Sequence, residues 1–86
     1  MKLSEQFVTF HTDDEAMLAA VGGADFSGLV RGSEAFGDVL DLLQEDISEE
    51  ALIAAMAERY DAPVEVLTKD VRDALAQLRD IGAVVD

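Results

Sequence analysis

The chain has no cysteine, one histidine, one proline and only six basic residues against nineteen acidic ones. The missing cysteine excludes a disulfide scaffold and a thiolate metal site. It is compatible with a cytoplasmic protein, which is the expected location. The shortage of cations leaves a formal net charge of −13. A surface that negative is repelled by phosphate backbones and anionic lipid, so neither nucleic acid nor membrane is an expected partner. No apolar run approaches the roughly 18–20 residues that span a bilayer. Met1 to Gln6 carries one lysine and no apolar core, so it does not read as a signal peptide.

Half of the 86 residues are apolar, enough for a globular fold and too many for a disordered chain. There is room for one domain, residues 1–86, with no internal repeat and no linker. Met1 to Gln6 reads as a frayed polar lead-in. Phe7 to His11 is rich in β-branched and aromatic residues and predicts a strand, with Val8 and Phe10 on its apolar face. Thr12 to Glu15 is a turn cluster. Ala16 to Val21 has helix-forming residues, but its place between two turns favours a second strand. Gly22 to Asp25 forms the next turn, and Phe26 to Arg31 the third strand, broken by Gly32. Short strands with tight connections imply an antiparallel meander.

From Ser33 the period changes to that of a helix. Phe36, Val39, Leu40 and Leu43 share one helical face, with Ser33 as the cap. Ser48 caps a second helix, whose inner stripe runs through Leu52, Ala55, Met56, Arg59 and Tyr60, with Arg59 contributing its methylene stem. The single proline, Pro63, suits the first position of a third helix. Leu67, Val71, Ala74, Leu75, Leu78 and Ile81 give that helix a continuous apolar stripe, and Gly82 its stop. Ala83 to Val85 reads as an extended tail packed back on the sheet. The fold class is therefore α+β, a three-stranded antiparallel sheet followed by three helices.

Catalytic equipment is missing. His11 has acidic neighbours but no serine or cysteine nucleophile in a recognisable setting, and no further metal ligands at a diagnostic spacing. The acidic clusters do not match a calcium loop, and Gly22 and Gly23 do not precede a helix as a phosphate loop requires. No enzyme activity, metal or cofactor is expected, and the question becomes what the chain binds.

The third strand lacks the usual edge protection, with no charge or proline between Phe26 and Val30. Gly28 leaves room for a second backbone. A free edge of this kind suits addition of a peptide strand, and it can also pair with a second copy of the chain to give a homodimer; the plainer alternative is a central strand already paired on both sides. Lys69, Arg72 and Arg79 are spaced to share one flank of the third helix, and Arg31 ends the third strand. Together they would form a basic rim that steers an acidic peptide; local pairing with neighbouring carboxylates is the plainer account.

The run from Phe26 through Ser27, Gly28, Leu29, Val30, Arg31, Gly32 and Ser33 to Glu34, then Val39 to Leu43, resembles the PqqD-like family. So do Ser48 to Ile53 with Tyr60 and Asp61, and Asp70 and Val71 set before Leu75, Leu78, Ile81 and Gly82. The resemblance implies a small winged helix-turn-helix fold. It also implies a recognition element that binds the leader of a ribosomally made precursor peptide and presents it to a modifying enzyme, often a radical SAM protein. By position, it places the peptide contacts at Phe26, Ser27, Gly28, Leu29, Val30 and Arg31 on the third strand. On the third helix it places them at Val71, Arg72, Leu75, Leu78 and Arg79. Two positions depart from the family: Ser33 stands where asparagine is common, and Asp38 where an apolar residue is common. Ser33 is equivalent as a cap. At Asp38, either Phe36 supplies the missing volume or the first helix is rotated.

Two other classes fit the size. A winged helix that reads DNA shares the fold, but the third helix also carries Glu65, Asp70, Asp73 and Asp80. An acyl carrier is similarly acidic, but no serine here has the required setting and the first third is rich in strand.

Overall fold

The computed structural model describes residues 1–21 and 28–86. The elements are β1 (Lys2–Leu3), β2 (Phe7–His11), β3 (Ala16–Ala20), β4 (Leu29–Gly32), α1 (Glu34–Leu42), α2 (Glu49–Arg59), α3 (Val64–Asp80) and β5 (Val84–Val85). The turn expected at Gly22 to Asp25, and the strand residues Phe26 and Ser27, lie outside the described residues. β2, β3 and β4 form an antiparallel meander in that order, followed by three helices, as the sequence pattern implies.

Ala16 to Ala20 is a strand despite its helix-forming composition. Ala16 and Leu18 point inward and are fully buried, so a period of two decides over propensity. On β2 the inward face carries Phe7, not the apolar pair Val8 and Phe10, which stay exposed on the outer face. His11 reaches α1, its Nε2 2.9 Å from Asp41 Oδ1.

The lead-in is ordered rather than frayed. Lys2 and Leu3 pair with Val85 and Val84 in a separate two-stranded ribbon, so the tail joins β1 and not the main sheet. The Met1 ammonium donates to Asp46 Oδ1 at 2.7 Å and holds that carboxyl below its ordinary pKa. Leu3, Ala83 and Val84 thereby enter the core.

Ser33 and Ser48 cap α1 and α2, accepting from the Phe36 and Ala51 amides at 3.3 and 3.1 Å. Pro63 stands one place earlier than its expected role, at the cap, and its carbonyl accepts from Val66 and Leu67 at 3.0 and 3.1 Å. α3 ends in a Schellman motif: Gly82 N–H donates to Arg79 C=O at 3.1 Å and Ala83 N–H to Leu78 C=O at 2.8 Å. Gly82 supplies the required positive φ of 77°.

The core lies between the inner sheet face and the helices, with Leu18, Leu40, Leu43, Leu52, Val71 and Leu78 fully buried. α1 packs closely on the sheet at Gly37. A β-carbon there would sit 2.8 Å from Ala16 Cβ and 3.1 Å from the His11 ring. Gly37→Ala gains up to about 1 kcal/mol of helix propensity. The clash with a strand-borne methyl costs roughly 1–3 kcal/mol. We expect a net loss of about 1–2 kcal/mol, read as a lower midpoint in thermal or urea unfolding.

Candidate functional site: an open strand edge beside an apolar groove

β4 pairs with β3 on one side only, through Ala16↔Gly32, Met17↔Arg31, Leu18↔Val30 and Ala19↔Leu29. Among the described residues its other edge has no strand partner. The direction of its peptide groups follows from the ladder. Val21 N–H donates to Gln6 C=O at 2.7 Å and Thr12 N–H to Glu15 C=O at 2.9 Å, at the two ends of the β2–β3 pairing. Hydrogen-bonded and non-bonded pairs alternate in antiparallel strands, so Val8↔Ala19 and Phe10↔Met17 are bonded pairs. Ala16 and Leu18 then turn their peptide groups to β4, where they meet Gly32 and Val30. Leu29 and Arg31 therefore direct amide and carbonyl to the open edge.

Beside that edge lies a groove of about 520 Å³. Arg31, Gly32 and Ser33 form its strand side, and Ala35, Phe36 and Val39 of α1 its floor. Leu67, Val71 and Ala74 of α3 supply the apolar part of the far wall, with Asp70, Asp73 and Gln77 beside them. Met56, Tyr60 and Ala62 close one end. Gly32 does not break the strand; it is the last residue of β4. Its missing side chain is what admits Phe36: a β-carbon there would collide with the Phe36 ring. Gly28, just before β4, has φ of 136°, open only to glycine.

Asp38 holds the end wall. Tyr60 Oη donates to Asp38 Oδ2, and Arg59 Nη1 donates to Asp38 Oδ1 at 3.1 Å. The hydrogen bond to that carboxylate, with burial added, pushes the Tyr60 phenol up to about 12. Asp38 is thus not a misplaced core residue. It faces α2 and ties it to α1, while Phe36 fills the groove floor.

The contact residues expected from sequence separate into groups. Gly28, Leu29, Val30 and Arg31 lie on or beside the open edge, with Leu29 52% exposed; Phe26 and Ser27 are outside the described residues. Val71 is buried yet reaches the groove wall. Leu75 and Leu78 are in the core. Arg72 and Arg79 do not line the groove. Arg72 Nε lies 3.6 Å from Glu49, and Arg79 donates to Asp86 at 3.0 and 3.2 Å. Lys69 pairs with Asp73 at 2.8 Å. The expected basic rim is therefore absent from the α3 wall, because the cations occupy a different flank from Asp70, Ala74 and Gln77. Phe36, Tyr60, Asp70 and Gln77 were not foreseen as site residues; an offset of three and seven from Asp70 to Asp73 and Gln77 is the pattern that links the polar ones.

The family described as coenzyme PQQ synthesis protein D (PqqD) matches residues 33–84, more than half of the chain. The chain belongs to the PqqD family. The match starts at the α1 cap, so the open strand of this PqqD-family chain lies just before it. A solved structure of TbiB1 in complex with the TbiA(beta) leader peptide is similar over 100% of both chains, with a TM-score of 0.78 and 24% identity. At that identity the likeness establishes the fold. No curated protein sequence matches the chain.

Proposed function

We propose that this PqqD-family chain is a non-enzymatic peptide-binding adaptor. It takes the leader region of a ribosomally made precursor peptide as an added strand on β4. It presents the rest of that peptide to a modifying enzyme, for which the family resemblance favours the radical SAM class. The observation that carries the reading is the open edge of β4, with the Leu29 and Arg31 peptide groups turned outward beside an apolar groove. Main-chain hydrogen bonds would supply affinity there and the groove specificity. TbiB1, solved with a leader peptide, has the same fold, which supports the reading. The DNA-binding alternative has no such observation, since Lys69, Arg72 and Arg79 each lie within 3.6 Å of an acidic partner.

The test uses a labelled leader from the precursor gene nearest this chain's own gene, titrated by fluorescence anisotropy and mapped by amide chemical shifts. Saturable binding with the largest shifts at Leu29, Arg31 and the groove face of α3 is expected. Absence of binding, or shifts confined to the outer sheet face around Val8 and Phe10, would overturn it.

A further inference from the structure

The groove is not electrically neutral, and its charge points to a class of peptide. On the α3 wall the polar residues are Asp70, Asp73 and Gln77. Asp73 is already engaged at 2.8 Å by Lys69, which does not itself line the groove. Asp70 is exposed and has no ion pair among the described residues. Across the groove, Arg31 is drawn to Glu15, 3.6 Å away. Lys69 beside Asp70 bridges Asp73 and only feels the Asp70 charge, so an incoming acidic side chain would meet an unbridged carboxylate on a chain of net charge −13. An incoming lysine or arginine would meet its complement.

Geometry sets where that cation must be. Asp70 directly precedes Val71, the apolar wall residue; both line the groove, and their Cα atoms are about 3.8 Å apart. An extended peptide advances about 3.3 Å per residue and alternates its side chains between faces. The cation thus falls within about two residues of the apolar side chain seated on Phe36 and Val71.

We propose that Asp70 is a specificity-determining residue of the groove, selecting peptides that carry lysine or arginine within two residues of their apolar anchor. This rests on the peptide-binding reading and reverses the acidic-peptide preference that the basic residues of α3 suggest from sequence.

The experiment selects a displayed library of random twelve-residue peptides against the folded chain, against Asp70→Lys, and against Asp80→Lys as a control on the same helix outside the groove. The unaltered chain and Asp80→Lys should enrich lysine or arginine at a fixed spacing from an apolar residue. Asp70→Lys should replace that preference with aspartate or glutamate and keep the apolar position. For a synthetic pair differing only in lysine or glutamate at that position, the lysine peptide should bind about tenfold tighter at low salt. The gap should shrink as salt screens the contact. Enrichment of the apolar anchor with no charge preference, or a preference unmoved by Asp70→Lys, overturns the role of Asp70 and leaves peptide binding standing. Enrichment of nothing by the unaltered chain overturns both.

Discussion

Leu29→Pro is expected to fold with a near-native thermal midpoint and to bind leader peptide at least about tenfold more weakly. Leu29 turns its amide away from β3, so proline there removes a donor that the folded sheet does not use. An added strand does use it. The pyrrolidine ring also stands where that strand would approach, so the loss exceeds one hydrogen bond. Val30→Pro is the control. Its amide belongs to the ladder with Leu18, and its loss should lower stability by roughly 1–3 kcal/mol before any peptide is added. Thermal unfolding and anisotropy titration of the two proteins separate the outcomes. A folded Leu29→Pro protein with unchanged affinity would remove strand addition from consideration.

Asp38→Ala should cost about 2 kcal/mol, because two donors on α2 and its cap share this one half-buried acceptor. In a domain of this size that corresponds to a midpoint lower by roughly 8–16 °C. Tyr60 provides a direct reporter, since it is the sole tyrosine in a chain without tryptophan. Its phenol is held at about 12 in the folded state, above the ordinary 10.0. The hydrogen bond to Asp38 thus stabilises the fold fully below pH 10 and is lost as pH rises through 12. Absorbance titration should move the phenolate transition toward 10 in Asp38→Ala. The same substitution frees the end wall of the groove, so peptide affinity should fall with it. An unshifted phenol would show that Asp38 does not hold Tyr60.

The helices were legible because their signals are local. Serine caps, a period of 3.6 and the glycine stop at position 82 each act within a few residues. The antiparallel order of the strands was legible from turn chemistry. The groove was less so. Which flank of α3 faces β4 depends on how α2 packs, and the ion pair of Arg72 with Glu49 places that cation on the side facing α2. Gly32 looked like a strand breaker because glycine usually is one. Its use here, admitting the Phe36 ring, is visible only when both elements are in place. Asp38 stands out in the sequence as a departure from its family, but its partners Arg59 and Tyr60 are more than twenty residues away.

The ribbon of β1 and β5 has a consequence for how this chain is made. β1 precedes every other described element, yet among the described residues its strand partner is Val84 and Val85, some eighty positions later. The sheet and α1 can collapse on their own local contacts while the ribosome still holds Val84 and Val85. Leu3, Ala83 and Val84 cannot close the core until that segment emerges. Their closure spans nearly the full chain, a long-range step that topology makes slow relative to helix formation. A nascent chain stalled on a downstream linker should therefore gain the protease resistance that closure of Leu3 on Val84 confers only once Val85 clears the exit tunnel.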